Sequence, residues 1–152
     1  MRRKLFTRLM LAVTAMVVVC CLMTSGASAG PRSEVRPCSN HTLFGDYGFA
    51  LEGTILGPGL PFRGIVMQHY DGKGNLTQVD HVVTNGFPPA QEWTPGTGIY
   101  TVNPDCTGSA VINVPGNPLS PINLHFVVVR QGKEIHQVVD GNAVTAVGTR
   151  VR

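Results

Sequence analysis

The chain has 152 residues, 43% apolar and 14% charged, and carries a net charge of +3. That length fits one domain around one hydrophobic core. Arg2, Arg3, Lys4 and Arg8 supply the whole positive excess and the remainder is net −1, which excludes a basic surface for nucleic acid.

Those basic residues open a three-part leader. Leu9 to Met23 is an almost unbroken apolar run, and Ala27-Ser28-Ala29 places small residues before a cut. The pattern predicts a signal peptide over 1–29, cleaved after Ala29, with export to the periplasm or the medium. The apolar run is short for the roughly 20 residues that cross a bilayer, so no membrane span is expected once the leader is gone. An uncleaved anchor is the alternative. Cys20 and Cys21 leave with the leader, and Cys38 and Cys106 remain. An even pair in an exported chain points to a Cys38–Cys106 disulfide, the alternative being two free thiols.

Residues 30–37 are polar and flanked by proline, and read as a mobile arm. The segment 38–152 reads as a single β-barrel domain. Its first strand, Phe44 to Thr54, alternates: Tyr47, Phe49 and Leu51 share one face, and Asp46, Gly48, Ala50 and Glu52 the other. A Gly/Pro loop leads to a second strand, Phe62 to Tyr70. Asp71-Gly72-Lys73-Gly74-Asn75 is a hairpin turn into a third strand, Leu76 to Thr84. Asn85 to Gly96 is the longest irregular segment and holds the single tryptophan, Trp93. It reads either as a binding loop or as a plain connection whose Trp93 plugs one end of the core.

The fourth and fifth strands flank Asn103-Pro104-Asp105-Cys106-Thr107-Gly108, a turn of residues that preset or bond the backbone. A proline-rich crossing leads to a sixth strand, Ile122 to Arg130. Gln131 to Glu134 turns into a seventh, Ile135 to Val139, and Asp140-Gly141-Asn142 into an eighth, Ala143 to Val151. Glycine and alanine in that last strand imply tight curvature or a close neighbour. The fold class is therefore all-β: an antiparallel up-and-down barrel of about eight strands, with a two-sheet sandwich as the alternative.

Three stretches carry a resemblance: Gly45-Asp46-Tyr47-Gly48-Phe49, Asp71 to Asn75, and Gly98-Ile99-Tyr100-Thr101-Val102-Asn103-Pro104-Asp105-Cys106-Thr107-Gly108. Together they resemble a group of small exported bacterial proteins of unknown function, with Ile99 where that group more often has threonine. The strand layout is similar to the barrels of allene oxide cyclases and lipocalin-like calycins. That likeness implies a fold and no catalytic residue.

Candidate chemistry is sparse. His41, His69, His81, His125 and His136 form no metal-ligand spacing, and no serine-nucleophile or phosphate-loop motif occurs. No catalytic residue, metal or cofactor is assigned. One constellation stands out. With Gln131–Glu134 as the turn, His125 falls opposite Asp140 and Val129 opposite His136, on one face. An aspartate beside a histidine orients the ring for proton transfer or ligand binding. His125, His136, Asp140 and Trp93 are the candidate ligand-binding residues, and an ordinary outward face is the competing reading. Glu52, His69 and His81 read as surface residues. The expected role is binding of a small apolar ligand or a partner without catalysis. The alternatives are a cyclase-like enzyme acting in the barrel cavity and a structural protein with a filled core. Nothing in the sequence sets an oligomeric state.

Overall fold

The computed structural model describes residues 36–151. The expected signal peptide and most of the expected arm lie outside the described residues; Arg36 and Pro37 are exposed and belong to no helix or strand. The eight strands are β1 (Phe44–Ile55), β2 (Leu60–Asp71), β3 (Asn75–Thr84), β4 (Thr94–Val102), β5 (Thr107–Asn113), β6 (Ile122–Val129), β7 (Glu134–Val139) and β8 (Ala143–Arg150). Each is antiparallel to the next, and β8 returns to β1 with Tyr47 opposite Arg150 and Thr54 opposite Ala143. The result is a closed barrel rather than a sandwich. Among the described residues no helix is long and apolar enough to cross a membrane.

Alternation sends one side chain of every two into the lumen. Tyr47, Phe49, Tyr70, Leu76, Tyr100, Leu124, Phe126 and Ile135 are all buried there. Large rings fit because glycines face them. A Cβ on Gly148 would lie 2.3 Å from the Phe49 ring, and one on Gly108 would lie 2.3 Å from the Phe126 ring. The glycine in the eighth strand thus marks a close neighbour, as its sequence implied.

The β2–β3 turn is built on Asp71. Its Oδ1 accepts backbone N–H bonds from Lys73 (2.7 Å), Gly74 (3.0 Å) and Asn75 (3.0 Å), and its Oδ2 accepts from Asn75 Nδ2 (2.7 Å). These bonds, that from the Asn75 side chain first, hold its carboxyl down at about 2.

Two expectations are corrected. The irregular segment after β3 ends at Trp93, because Thr94 to Gly96 already pair with β3. The β6–β7 register also differs. Val129 pairs with Glu134, so the connection is Arg130–Lys133, and His125 faces Val138 while Val127 faces His136. Arg130, Gln131 and Gly132 all take positive φ. Gly132 is pinned, since a Cβ there would lie 2.4 Å from the Thr42 carbonyl oxygen, and its own carbonyl accepts from the Tyr47 hydroxyl. The turn moves by one residue at each end, which leaves every side chain on the same face.

One end of the barrel is closed by the segment before β1. A short 3-10 turn, Asn40–Thr42, leads to Leu43, which is fully buried. The Tyr100 hydroxyl lies 3.1 Å from the carbonyl oxygens of both Asn40 and Leu43, and Val102 N–H donates to Asn40 Oδ1 at 2.7 Å. Cys38 N–H donates to the Pro104 carbonyl at 3.1 Å, and the Cys38–Cys106 disulfide, with Cα atoms 5.0 Å apart, fixes this plug to the β4–β5 turn. The bond spans 68 residues of sequence. In the chain-entropy account a loop of that size contributes on the order of 4 kcal/mol. Replacing both cysteines with serine should therefore lower the thermal midpoint by several degrees while far-UV circular dichroism keeps its β signature. An unchanged midpoint would show that the plug is held without the bond.

Candidate functional site

The lumen changes character along its axis. Next to the plug lie three tyrosines in edge-to-face contact, with ring centroids 5.3 Å apart for Tyr47–Tyr70 and 5.0 Å for Tyr70–Tyr100. Burial pushes the Tyr70 phenol far up, with Tyr47 and Tyr100 adding to it. Burial likewise raises Tyr100 to about 12, with the Asp71 charge adding. These hydroxyls are neutral donors at any physiological pH.

A chain of polar side chains rises from them along the wall. The Tyr70 hydroxyl donates to Gln68 Oε1 (2.7 Å), Gln68 Nε2 to Gln78 Oε1 (2.8 Å), and Gln78 Nε2 to Asp80 Oδ2 (2.9 Å). Gln78 has room because Gly96 faces it, where a Cβ would lie 2.9 Å from Gln78 Cγ. Asp80 is 8% exposed, and burial raises its pKa against the lowering effects of the Gln78 bond and the His81 charge. Gln137, on the opposite wall, is 7% exposed and its Oε1 has no hydrogen-bond partner.

Beyond this level the inward residues are half-buried Leu51, Phe62, Val82, Thr84, Thr94, Ile122 and Val139 together with buried Ile112, Val114 and Val144. Leu51 and Val82 converge over Gly64, where a Cβ would meet them at 2.8 and 2.9 Å. The end opposite the plug is therefore a mostly apolar end of the lumen that solvent partly reaches, with a carboxyl one inward step below Val82. Such a place suits an apolar molecule with one polar end.

The outer wall holds the residues singled out from sequence. A shallow depression of about 630 Å³ over β5–β8 is lined by His125, Val127, His136, Val138 and Val147 among others. His125 Nδ1 lies 3.0 Å from Asp140 Oδ1 despite the shifted register. His136 does not join them. Its Nε2 lies 2.6 Å from Glu134 Oε1, and Glu134 also receives Arg130 Nη1 at 3.1 Å. The His136 hydrogen bond, then the Arg130 and His136 charges, hold the Glu134 carboxyl below its usual range. Both pairs are on the outer face, the His125–Asp140 pair well exposed and Glu134 partly covered, and solvent weakens the influence of the exposed pair on a proton or a ligand. Trp93 does not plug the core. It is 42% exposed on the outer side of the mouth-end loops, 6.1 Å from the His81 ring. Glu52 is likewise outside, paired with Arg63, and His69 lies 2.8 Å from Asp46. Among the described residues no cluster of three or more His, Cys, Asp or Glu is placed to hold a metal.

No protein-family model, curated protein or solved structure matches this chain. The site has to be read from its own residues.

Sequence reasoning missed Gln68, Gln78, Asp80 and Gln137. A signal was present. The Asp71–Asn75 turn sets Tyr70 opposite Leu76, Gln68 opposite Gln78 and Val66 opposite Asp80, all on the inward phase. Outward Ile65, Met67 and Val79 hid it, because they make the opposite face look like the core.

The raised Asp80 pKa fixes the sign of a pH effect. Native protein binds the Asp80 proton more tightly than unfolded chain, so stability falls as pH rises from about 4 through the native pKa. Above that window the buried carboxylate carries its full desolvation cost. Asp80→Asn keeps the acceptor for Gln78 and removes the charge. It should raise the thermal midpoint by a few degrees at pH 7 and leave it unchanged near pH 3. A lower midpoint at pH 7 would mean that the ionised carboxylate is stabilising.

Proposed function

We propose that this is an exported binding protein that takes a small apolar ligand into the open mouth of its barrel and performs no chemistry on it. The observation that carries the reading is Asp80. A carboxyl held inside the wall at a cost to stability, directly beneath an apolar rim, is what a binding site retains and a merely packed core discards. The plugged opposite end supports it, since the lumen then has one entrance. The leader-like N-terminus and the disulfide support export to the periplasm or the medium.

A second reading has one observation in its favour. A carboxyl with a raised pKa in apolar surroundings is also a general acid, as a cyclase-like isomerisation would need. Turnover of a bound ligand, lost in Asp80→Asn with binding retained, would select it.

The binding reading is tested by native mass spectrometry of the exported protein, followed by NMR titration with whatever ligand is released or with decanol. Shifts should centre on Leu51, Phe62, Val82, Ile122 and Val139. Val82→Arg in the mouth should weaken binding by about tenfold or more, roughly 1.4 kcal/mol, whereas Val138→Arg on the outer wall should not. Shifts centred on His125, Val138 and Val147 instead would move the site to the outer depression.

A further inference from the structure

We infer that the loop tips around the mouth form a docking crown for a lipid bilayer of no net charge, which turns the open end of the barrel toward the membrane. The crown's residues are not those of the lumen, so docking and lumen binding can fail separately.

Topology gathers the parts. Connections in an up-and-down barrel alternate between its ends, so β1–β2, β3–β4, β5–β6 and β7–β8 all close at the mouth, and the other three lie at the plug end. The plug-end connections carry Lys73, Asp105, Arg130 and Lys133. The mouth connections, 56–59, 85–93, 114–121 and 140–142, hold no lysine or arginine, and their charged residues are Glu92 and Asp140. They expose Leu56, Phe87, Trp93 and Leu119, with Phe87 72% exposed. Single exposed apolar residues are ordinary, but four gathered at one end mark a contact surface.

Their exposure is built into the loops. Thr84 N–H donates to the Phe87 carbonyl (3.0 Å) and Phe87 N–H to the Thr84 carbonyl (2.9 Å), around Asn85 and Gly86 at positive φ. Asn85 N–H donates to the Pro61 carbonyl at 2.8 Å, which ties this tight turn to β2. Leu56 N–H donates to Asn142 Oδ1 (3.2 Å), joining two mouth loops, and Leu119 N–H donates to Asn117 Oδ1 (2.9 Å). The backbone bonds are spent within the crown, and the apolar side chains are what it offers outward.

The chemistry of the crown selects its partner. Without lysine or arginine it lacks the attraction on which docking to anionic lipid, nucleic acid or an acidic protein depends. Its apolar side chains stand on three separate loops around an opening. A rigid partner would need a matching pit for each. A bilayer yields to all of them, taking leucine and phenylalanine at its acyl boundary and tryptophan at the level of the headgroups. Half-buried Phe62 and Ile122 stand just inside the same rim, so a docked barrel opens onto the phase in which apolar molecules dissolve.

Trp93 is the single tryptophan of the chain and reports from the crown itself. The exported protein is mixed with phosphatidylcholine vesicles and followed by tryptophan emission, by quenching from brominated acyl chains and by co-sedimentation. Emission should move to the blue, shallow bromines should quench more than deep ones, and raised salt should leave the partition unchanged. Leu56→Ser/Phe87→Ser, both at exposed tips, should keep the thermal midpoint and weaken the partition about tenfold or more. Ile65→Ser/Met67→Ser on the outer wall should not weaken it. No partition, or a partition confined to phosphatidylglycerol vesicles and lost in raised salt, would overturn the inference. So would a partition unaltered in the tip variant, which would place the contact on the outer wall or on a retained leader. Self-association that the tip variant abolishes, without vesicle binding, would assign the crown to a second copy of the chain instead. Decanol binding without vesicle binding would remove the crown and leave lumen binding standing, and vesicle binding without decanol binding would do the reverse.

Discussion

The structure depends on β8 closing against β1. Until that seam forms, a sheet of this length has two open edges with unpaired backbone groups. Once it forms, every strand has two neighbours and half of all side chains are committed to a confined lumen. Confinement explains the glycines. A Cβ on Gly53 would meet the Ala143 carbonyl at 2.0 Å, and one on Gly98 the Val111 carbonyl at 2.4 Å. Where the wall bends most sharply only hydrogen fits, and where a phenyl ring lies flat the opposite strand must give it room. Packing of this kind fixes a unique arrangement.

The two ends of that lumen are built on different principles. At one, the chain's own Leu43 and three tyrosines fill the space, and each hydroxyl ends on a neighbouring oxygen. At the other, the inward side chains are mostly apolar and several are only half-buried. The polar chain from Tyr70 to Asp80 connects the two, so the neutral, fully bonded end holds the amides in the orientation that the carboxyl requires. A network of this kind is rigid only when every member is satisfied. Gln137 Oε1 is the buried side-chain oxygen left without a partner among the described residues.

Much of the fold was legible in the sequence. Short strands separated by Gly, Pro, Asn and Asp announce hairpins, and eight such strands in a row can close on themselves. The disulfide was expected from Cys38 and Cys106, the two cysteines beyond the leader-like segment. Register was less legible. A turn such as Arg130–Lys133 is located by its packing against Thr42 and Tyr47, far away in sequence. The site was least legible. Glu52 and Asp80 are both carboxylates on alternating strands, and only the ring of pairings puts one outside and the other in the lumen. Exposed Ile65, Met67 and Val79 invert the usual contrast between faces, so local periodicity pointed the wrong way there. On β6 and β7 the phase was right, and the histidine–aspartate contact was found on the outer wall.

The seam has a consequence for how the chain comes into being. In any N-to-C emergence β1 appears first and its partner β8 last, so the earliest strand has to wait for the final one. Cys38 and Cys106, by contrast, are both present before β6 is made. Oxidation can thus lock the plug to an unfinished sheet while the seam is still gaping. Long-range closure of this type is slow. During that interval β1, which carries Tyr47 and Phe49, offers its bare flank to any other chain nearby, which makes the order of emergence, as much as the finished packing, a hazard that this architecture has to survive.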